Sequence, residues 1–360
     1  MSAADKVLVV GPSWVGDMVM AQALYRLLKQ RSPSAEIHVV APPWSLPVLE
    51  RMPEVARGIE LAVGHGELGL GRRRRVGVAL RAEGYTRAIV LPRSAKAALV
   101  PWFARVPRRT GFRGEWRYGL LSDRRELDAR LDQTVKRFVA LGLERGETLP
   151  DALPPSLRPR LAVDRGNLER LLRESGLAGD GPLIALLPGA EYGPAKRWPT
   201  ERYGVLAAAL ARLGAEIVVL GSAKEAPLGE ELCAGAASTR VHNLCGKTTL
   251  ADVVDLLSAA AVAVTNDSGL MHVAAAAGTH VVAIYGSSSP SFTPPLSDAS
   301  TVLYLGLECS PCFARTCPLG HLNCLRNIDA SAVLAAVEAV LGARARPPGH
   351  APVGGKRAGG

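Results

Sequence analysis

Three stretches of this sequence join glycines to ionisable side chains in a spacing that suits the handling of an anion beside a base. In Gly11-Pro12-Ser13-Trp14-Val15-Gly16-Asp17, Gly16 permits close backbone approach and Asp17 stands where the next helical pattern begins. A carboxylate there serves as a helix cap or as a modest general base, and the free amides of a first helical turn would normally lower its pKa. In Leu187-Pro188-Gly189-Ala190-Glu191-Tyr192-Gly193-Pro194-Ala195-Lys196-Arg197-Trp198-Pro199, small residues let the chain pass close to a ligand, while Lys196 and Arg197 offset phosphate charge. In Thr265-Asn266-Asp267-Ser268-Gly269-Leu270-Met271-His272, Ser268 and Gly269 expose helix-terminal amides fit for a diphosphate. Asp267 anchors that turn or accepts from a substrate, and His272 follows one turn in. Each stretch has a plainer alternative: a cap at Asp17, a solvent-facing turn at Lys196-Arg197, a core histidine at His272. The first stretch is not a GxGxxG fingerprint and the second lacks Walker A spacing, which disfavours nicotinamide chemistry and P-loop ATP hydrolysis there.

All three stretches follow apolar runs of strand length, Lys6 to Val10, Leu183 to Leu187 and Ala261 to Thr265, and each precedes a helical pattern. The same alternation gives strands at Ile37 to Val40, Ile59 to Val63, Ala88 to Leu91, Arg108 to Phe112, Glu216 to Leu220 and Val281 to Ile284. Between them lie helices at Met18 to Gln30, Pro47 to Arg51, Arg72 to Glu83, Lys96 to Phe103, Asp128 to Leu141, Gly166 to Ser175, Thr200 to Arg212, Glu225 to Ala234, Leu250 to Ala259 and Gly269 to Ala276. Strands separated by such helices form parallel sheets, so the fold class is α/β with two successive doubly wound units. The proline-rich Leu149 to Pro159 marks the boundary. The expected division is 1–155 for the first domain, 156–175 for a linker and the start of the second half, 176–342 for the second domain, and 343–360 for a disordered tail. The last helix, Ala330 to Val340, is expected to pack back on the first domain. Polar loops at strand ends of both halves point to an anionic nucleotide bound between them.

The 360 residues exceed what one hydrophobic core fills, and 48% hydrophobic composition supports two cores without staples. The start of the sequence lacks the features of a secretory signal and no run is apolar enough for a bilayer span, so the expected location is the cytoplasm. Net charge is +10, but Arg72 to Arg137 alone holds 18 basic against 6 acidic residues. That field favours an anionic substrate or membrane surface. Aromatic content of 5% and the lack of a binding signature argue against nucleic acid. Four of the six cysteines, Cys309, Cys312, Cys317 and Cys324, crowd into one segment with His321. Reduced thiols packing a loop are the leading reading; a tetrahedral zinc site is the alternative, since gaps of this kind do not make paired knuckles.

Taken together, Gly16-Asp17, Tyr25-Arg26, Met52-Pro53-Glu54-Val55, Leu61 to Gly66, Leu91-Pro92-Arg93-Ser94, Gly189 to Pro199 and Thr265 to His272 resemble segments of the bacterial ADP-heptose:lipopolysaccharide heptosyltransferases. The resemblance runs from about Val7 to Asn327, and within the family it lies nearest the second heptosyltransferases. It implies a GT-B fold, two facing Rossmann-like domains with the acceptor on the amino-terminal half and ADP-heptose mainly on the other. It implies inverting transfer of L-glycero-D-manno-heptose to the first heptose of the lipid A-Kdo inner core, with Asp17 as the base. Donor contacts implied are Ser13, Lys196, Glu225 near the ribose, Leu244 beside adenine, Asp267, Ser268, Gly269 and His272. For the acceptor, the basic segment offers Arg93, Lys96, Arg113 and Arg117, and Arg72 to Arg75 would lie against the anionic inner-membrane surface. No metal is required on this reading; Mg2+ would at most stimulate by neutralising phosphates.

Overall fold

The computed structural model describes residues 5–345 other than 65 and 178. Two six-stranded sheets divide the chain. The first contains β1 (Lys6–Val10), β2 (Glu36–Ala41), β3 (Val55–Glu60), β4 (Arg87–Val90), β5 (Arg108–Phe112) and β6 (Asp123–Arg125) in the order β3-β2-β1-β4-β5-β6. The second contains β7 (Leu183–Leu187), β8 (Glu216–Val219), β9 (Val241–Asn243), β10 (Val262–Asn266), β11 (His280–Tyr285) and β12 (Ser300–Tyr304) in the order β12-β11-β10-β7-β8-β9. Every strand pair in both sheets is parallel. β7, and β1 after Lys6, are apolar and buried because helices cover both faces. This is the GT-B arrangement expected from the sequence, with the strand order reversing beside β1 and beside β7, where α/β sheets open a crevice at the carboxyl ends of their strands.

The domains meet through two helices. Val15–Arg31 leaves β1 and Gly269–Ala277 leaves β10, and their first turns touch. A Cβ on Gly16 would lie 2.8 Å from His272 Cδ2 and 3.2 Å from Gly269 Cα, and one on Gly269 would lie 3.3 Å from Gly16 N. Glycine at both positions is therefore what allows two positive helix ends to face one point. Behind the cleft, Asp255 is fully buried and accepts from Arg51 Nη2 at 2.5 Å, Asp164 N at 2.8 Å and Asn167 Nδ2 at 2.8 Å. Gln22 bonds the Arg160 backbone in both directions, Nε2 to O at 2.7 Å and N to Oε1 at 2.9 Å. The segment after the proline-rich boundary is thus stitched to both halves.

Several expectations change. The final helix is Ala330–Ala345 and buries Val333 and Val337 against Thr200–Arg212, so it packs on the second domain and not on the first. It also takes in residues 343–345, the start of the expected disordered tail; residues 346–360 lie outside the described residues. The third strand falls at Val55–Glu60, earlier than expected, and the helix begun at Asp128 is confined to Thr134–Ala140. Placement in the cytoplasm is withdrawn. Among the described residues no helix is long and apolar enough to cross a membrane, an observation that assigns no compartment.

Candidate active site

Asp17 is the third residue of the helix Val15–Arg31, one step inside the turn, and Trp14 takes the N-cap position. Asp17 is half-buried as a residue. The sequence-based expectation of a lowered pKa is reversed. Burial raises it from 3.8 to about 6, with the Lys196 charge pulling down and the Asp267 charge pushing up. Desolvation outweighs the helix amides because the surrounding protein cannot replace the water an ionised carboxylate loses.

Opposite Asp17, Lys196 Nζ contacts Asp267 Oδ2 at 2.5 Å, and Asp267 is 5% exposed. Thr293 Oγ1 donates to the other oxygen, Oδ1, at 3.5 Å. Asn266, fully buried, accepts at Oδ1 from Trp198 N at 3.0 Å and Tyr203 OH at 3.2 Å, and donates from Nδ2 to Pro188 O at 2.7 Å. One amide thereby fixes the loop after β7 to the end of β10, and with it the approach of Lys196 to Asp267. His272 is buried and its Nδ1 has no hydrogen bond among the described residues. Its pKa falls from 6.5 to about 4, chiefly through burial, so the ring is neutral near pH 7. Ser268 is the N-cap residue of Gly269–Ala277 and its side chain bonds no amide of that turn. The structure therefore brings Asp17, Lys196, Asp267, Ser268, Gly269 and His272 to one place.

The other expected donor residues have local contacts of their own. Glu225 accepts at Oε2 from Ser222 N at 2.7 Å and crowds its carboxylate against Gly189, where no side chain would fit. Leu244 is buried just past β9, with its N–H on Val219 O at 3.0 Å. Ser13 is exposed, and its carbonyl accepts from Trp44 Nε1 at 2.8 Å. Arg197 turns back to Ala190 O at 3.3 Å and so braces its own loop, which leaves Lys196 as the only cation of that dipeptide at the site.

The acceptor residues divide. Arg93 and Lys96 follow β4 and form no ion pair among the described residues, and Arg93 is exposed. Arg113 is exposed but pairs with Glu126 at 2.5 Å. Arg117 is a correction: it is 2% exposed and its guanidinium donates to Pro92 O at 2.8 Å and to Phe112 O, so it holds the β4 and β5 ends together and cannot reach a substrate. The basic run is also smaller than it reads, since Arg72 pairs with Glu67 and Arg73 is buried on Leu68 O, leaving Arg74 and Arg75 exposed. The four clustered cysteines are free thiols, and no set of three metal-ligating side chains stands in metal-holding geometry among the described residues, so the zinc alternative finds no support.

Two site features escaped the sequence reading. Ser287 and Ser288, which follow β11, are buried at 1% and 3% exposure with hydroxyls unbonded among the described residues. The signal was a run of small polar residues directly after a buried strand, the same signal that marked the other three loops. The second is Thr293, which reaches Asp267 from a loop without regular structure.

The cleft sets Asp17 of one Rossmann-like domain against the Lys196–Asp267 pair of the other, within a fold of GT-B type. The model of glycosyltransferase family 9 (heptosyltransferase) matches residues 73–323, and this chain belongs to that family. It is 50% identical over 306 residues to lipopolysaccharide heptosyltransferase 2 of Salmonella typhimurium, covering 83% of this chain and 88% of that one. It is 45% identical over 307 residues to lipooligosaccharide heptosyltransferase 2 of Haemophilus influenzae, with the same two coverages, 83% and 88%. The structure of E. coli ADP-heptose lps heptosyltransferase II superposes with a TM-score of 0.84 at 44% identity, covering 94% of this chain and 99% of that one.

Proposed function

We propose that this enzyme transfers heptose from ADP-heptose to the first heptose of the lipopolysaccharide inner core, with inversion at the anomeric carbon. The observation that carries the mechanism is the placement of Asp17 across the cleft from the Lys196–Asp267 pair. An acceptor hydroxyl beside Asp17 attacks the anomeric carbon; its proton passes to the carboxylate, the carbon–oxygen bond to the diphosphate breaks, and ADP departs with the electron pair. A carboxylate whose pKa is raised to about 6 stays ionised at neutral pH yet is a stronger base than an ordinary aspartate. Lys196 and the ends of the two helices meet the charge that grows on the diphosphate. Neutral His272 supports the donor sugar side without competing for the acceptor proton. Glu225 is assigned to the ribose, Leu244 to the adenine edge and Ser13 to the outer rim of the donor.

Arg93 and Lys96 receive the acceptor's phosphates or carboxylates, and Arg74 with Arg75 lies against the anionic membrane surface where a lipid-linked acceptor resides. Mg2+ acts only as a stimulant of phosphate binding. The test is mass-resolved product analysis with ADP-heptose and lipid acceptors carrying no heptose or one, beside Asp17→Ala. A gain of one heptose on the monoheptosylated acceptor alone, abolished in the variant, is the expected result. Transfer to the heptose-free acceptor would move the activity to the first heptosyltransferase step.

A further inference from the structure

The cysteine-rich segment lies against the loop that carries Lys196. Ala195 N donates to Arg315 O at 3.0 Å, and Tyr192 OH donates to Phe313 O at 2.7 Å. A Cβ on Gly193 would lie 2.5 Å from Arg315 O, so the two backbones run in direct contact. The thiols of Cys309, Cys312, Cys317 and Cys324 line a small cavity of ≈ 20 Å³ together with Ala195 and Ser287. Packing of these thiols thus sets where the segment meets the donor loop.

One side chain of the segment reaches the same aromatic ring as Lys196. Arg315 Cζ lies 5.2 Å from the centre of the Tyr192 ring, and Lys196 Nζ lies 5.1 Å from it. A cation over a tyrosine face is attracted by the ring and keeps its hydrogen-bond donors for another partner. Arg315 is exposed and forms no ion pair among the described residues. Lys196, by contrast, is neutralised by Asp267 at 2.5 Å. A donor diphosphate brings roughly two negative charges, and the departing ADP gains more as the carbon–oxygen bond breaks. The Lys196–Asp267 pair alone has no net charge to set against that, and Arg197 is turned away to Ala190 O.

We propose that Arg315 is the second cation of the diphosphate site, delivered by the cysteine-rich segment to the β-phosphate of ADP-heptose and of ADP. The proposal rests on the donor reading given above for Lys196. A guanidinium suits this role because its planar fork grips two phosphate oxygens at once.

Calorimetric binding of ADP and of AMP to the full chain tests it, with Arg315→Ala, Arg315→Lys and Lys196→Ala. AMP has no β-phosphate and serves as the internal control. Arg315→Ala is expected to weaken ADP binding about tenfold and AMP binding less than about twofold, as for the loss of a charge-assisted hydrogen bond to one group. Arg315→Lys should recover part of the loss. Because the backbone of Arg315 makes the contacts to the loop, the alanine variant should keep the wild-type melting temperature. Unchanged ADP binding in Arg315→Ala, with a clear loss in Lys196→Ala, would overturn the proposal and leave the donor site in place. An equal loss for AMP and ADP would also overturn it, since Arg315 would then act on loop position. Unchanged ADP binding in Lys196→Ala would instead sink the donor reading itself.

Discussion

The two walls of this cleft, donor and acceptor in the proposed reaction, are built on opposite plans. On the carboxyl-terminal side, the charge at the centre is buried and already matched, with exposed Arg315 outside it: Asp267 holds Lys196, and Asn266 uses its side-chain amide to tie Trp198, Tyr203 and Pro188. On the amino-terminal side, Arg93 and Lys96 stand without an acid, close to an exposed loop that carries Trp116 at 90% exposure. A wall that grips the same nucleotide at every turnover profits from geometry fixed before binding. A wall that receives a large anionic glycolipid works through field and reach, so its cations stay solvated until the acceptor arrives. Asp17 sits where the two plans meet, on the amino-terminal domain, with burial setting its pKa and the Lys196 and Asp267 charges of the other domain adding smaller, opposing pulls.

The largest effect should come from breaking that junction. Asp17→Asn keeps the shape of the side chain and removes its basicity, so kcat should fall by about a thousandfold, the usual scale for a positioned base. ADP binding should remain or tighten, because the negative charge facing the diphosphate is gone. In the wild type, kcat/KM should decline as pH drops through about 6, where Asp17 takes up its proton. A rate profile flat down to pH 5 would remove Asp17 from the role of base.

A second comparison lies within the acceptor wall itself, between two arginines that look alike in sequence. Arg93→Ala should raise the acceptor KM by about tenfold at low salt and much less at high salt, with stability within about 0.5 kcal/mol of wild type. Arg117→Ala should do the reverse. It strips the donors from two backbone carbonyls and leaves a hole between β4 and β5, a loss of about 2–3 kcal/mol in unfolding free energy. Kinetics and urea denaturation of both variants would decide; an acceptor KM raised equally by each would put Arg117 back at the surface.

That contrast marks how far the sequence could be read. Strands such as β1, β7 and β10 were legible because burial on both faces makes them continuously apolar, and the three strand-end loops with their ionisable residues followed directly. Three of the four edge strands were not. β6 is Asp123-Arg124-Arg125, where Asp123 takes Arg125 and Arg145 as partners, so charge saturates a position that has no apolar signal. β12 at the other sheet's edge is only partly buried, and β9 holds His242 and Asn243 in three residues. Side-chain direction was the other blind spot. Nothing in Gly114-Glu115-Trp116-Arg117 says that the arginine turns inward, and nothing in Asp17 says that burial will outweigh the helix amides.

A last effect isolates Asp17 from its neighbour His272 through stability. Asp17 ionises at about 6 in the folded protein against 3.8 in an unfolded chain, so between these values the folded state binds more protons and stability falls as pH rises. His272 has its folded pKa at about 4 against 6.5, so over that window the folded state binds fewer protons and stability rises with pH. The two slopes oppose each other between about pH 4 and 6 and largely cancel in the wild type. Asp17→Asn removes one of them. Its unfolding free energy should climb from pH 4 to 6.5, and above pH 7 it should exceed that of the wild type by about 2–3 kcal/mol, the scale of a two-unit shift. Below pH 4 the gain should vanish, since both forms are then uncharged at residue 17. Urea melts at half-unit steps of pH would show it, and a difference between variant and wild type that stayed constant from pH 4 to 8 would mean that Asp17 ionises as freely in the folded protein as out of it.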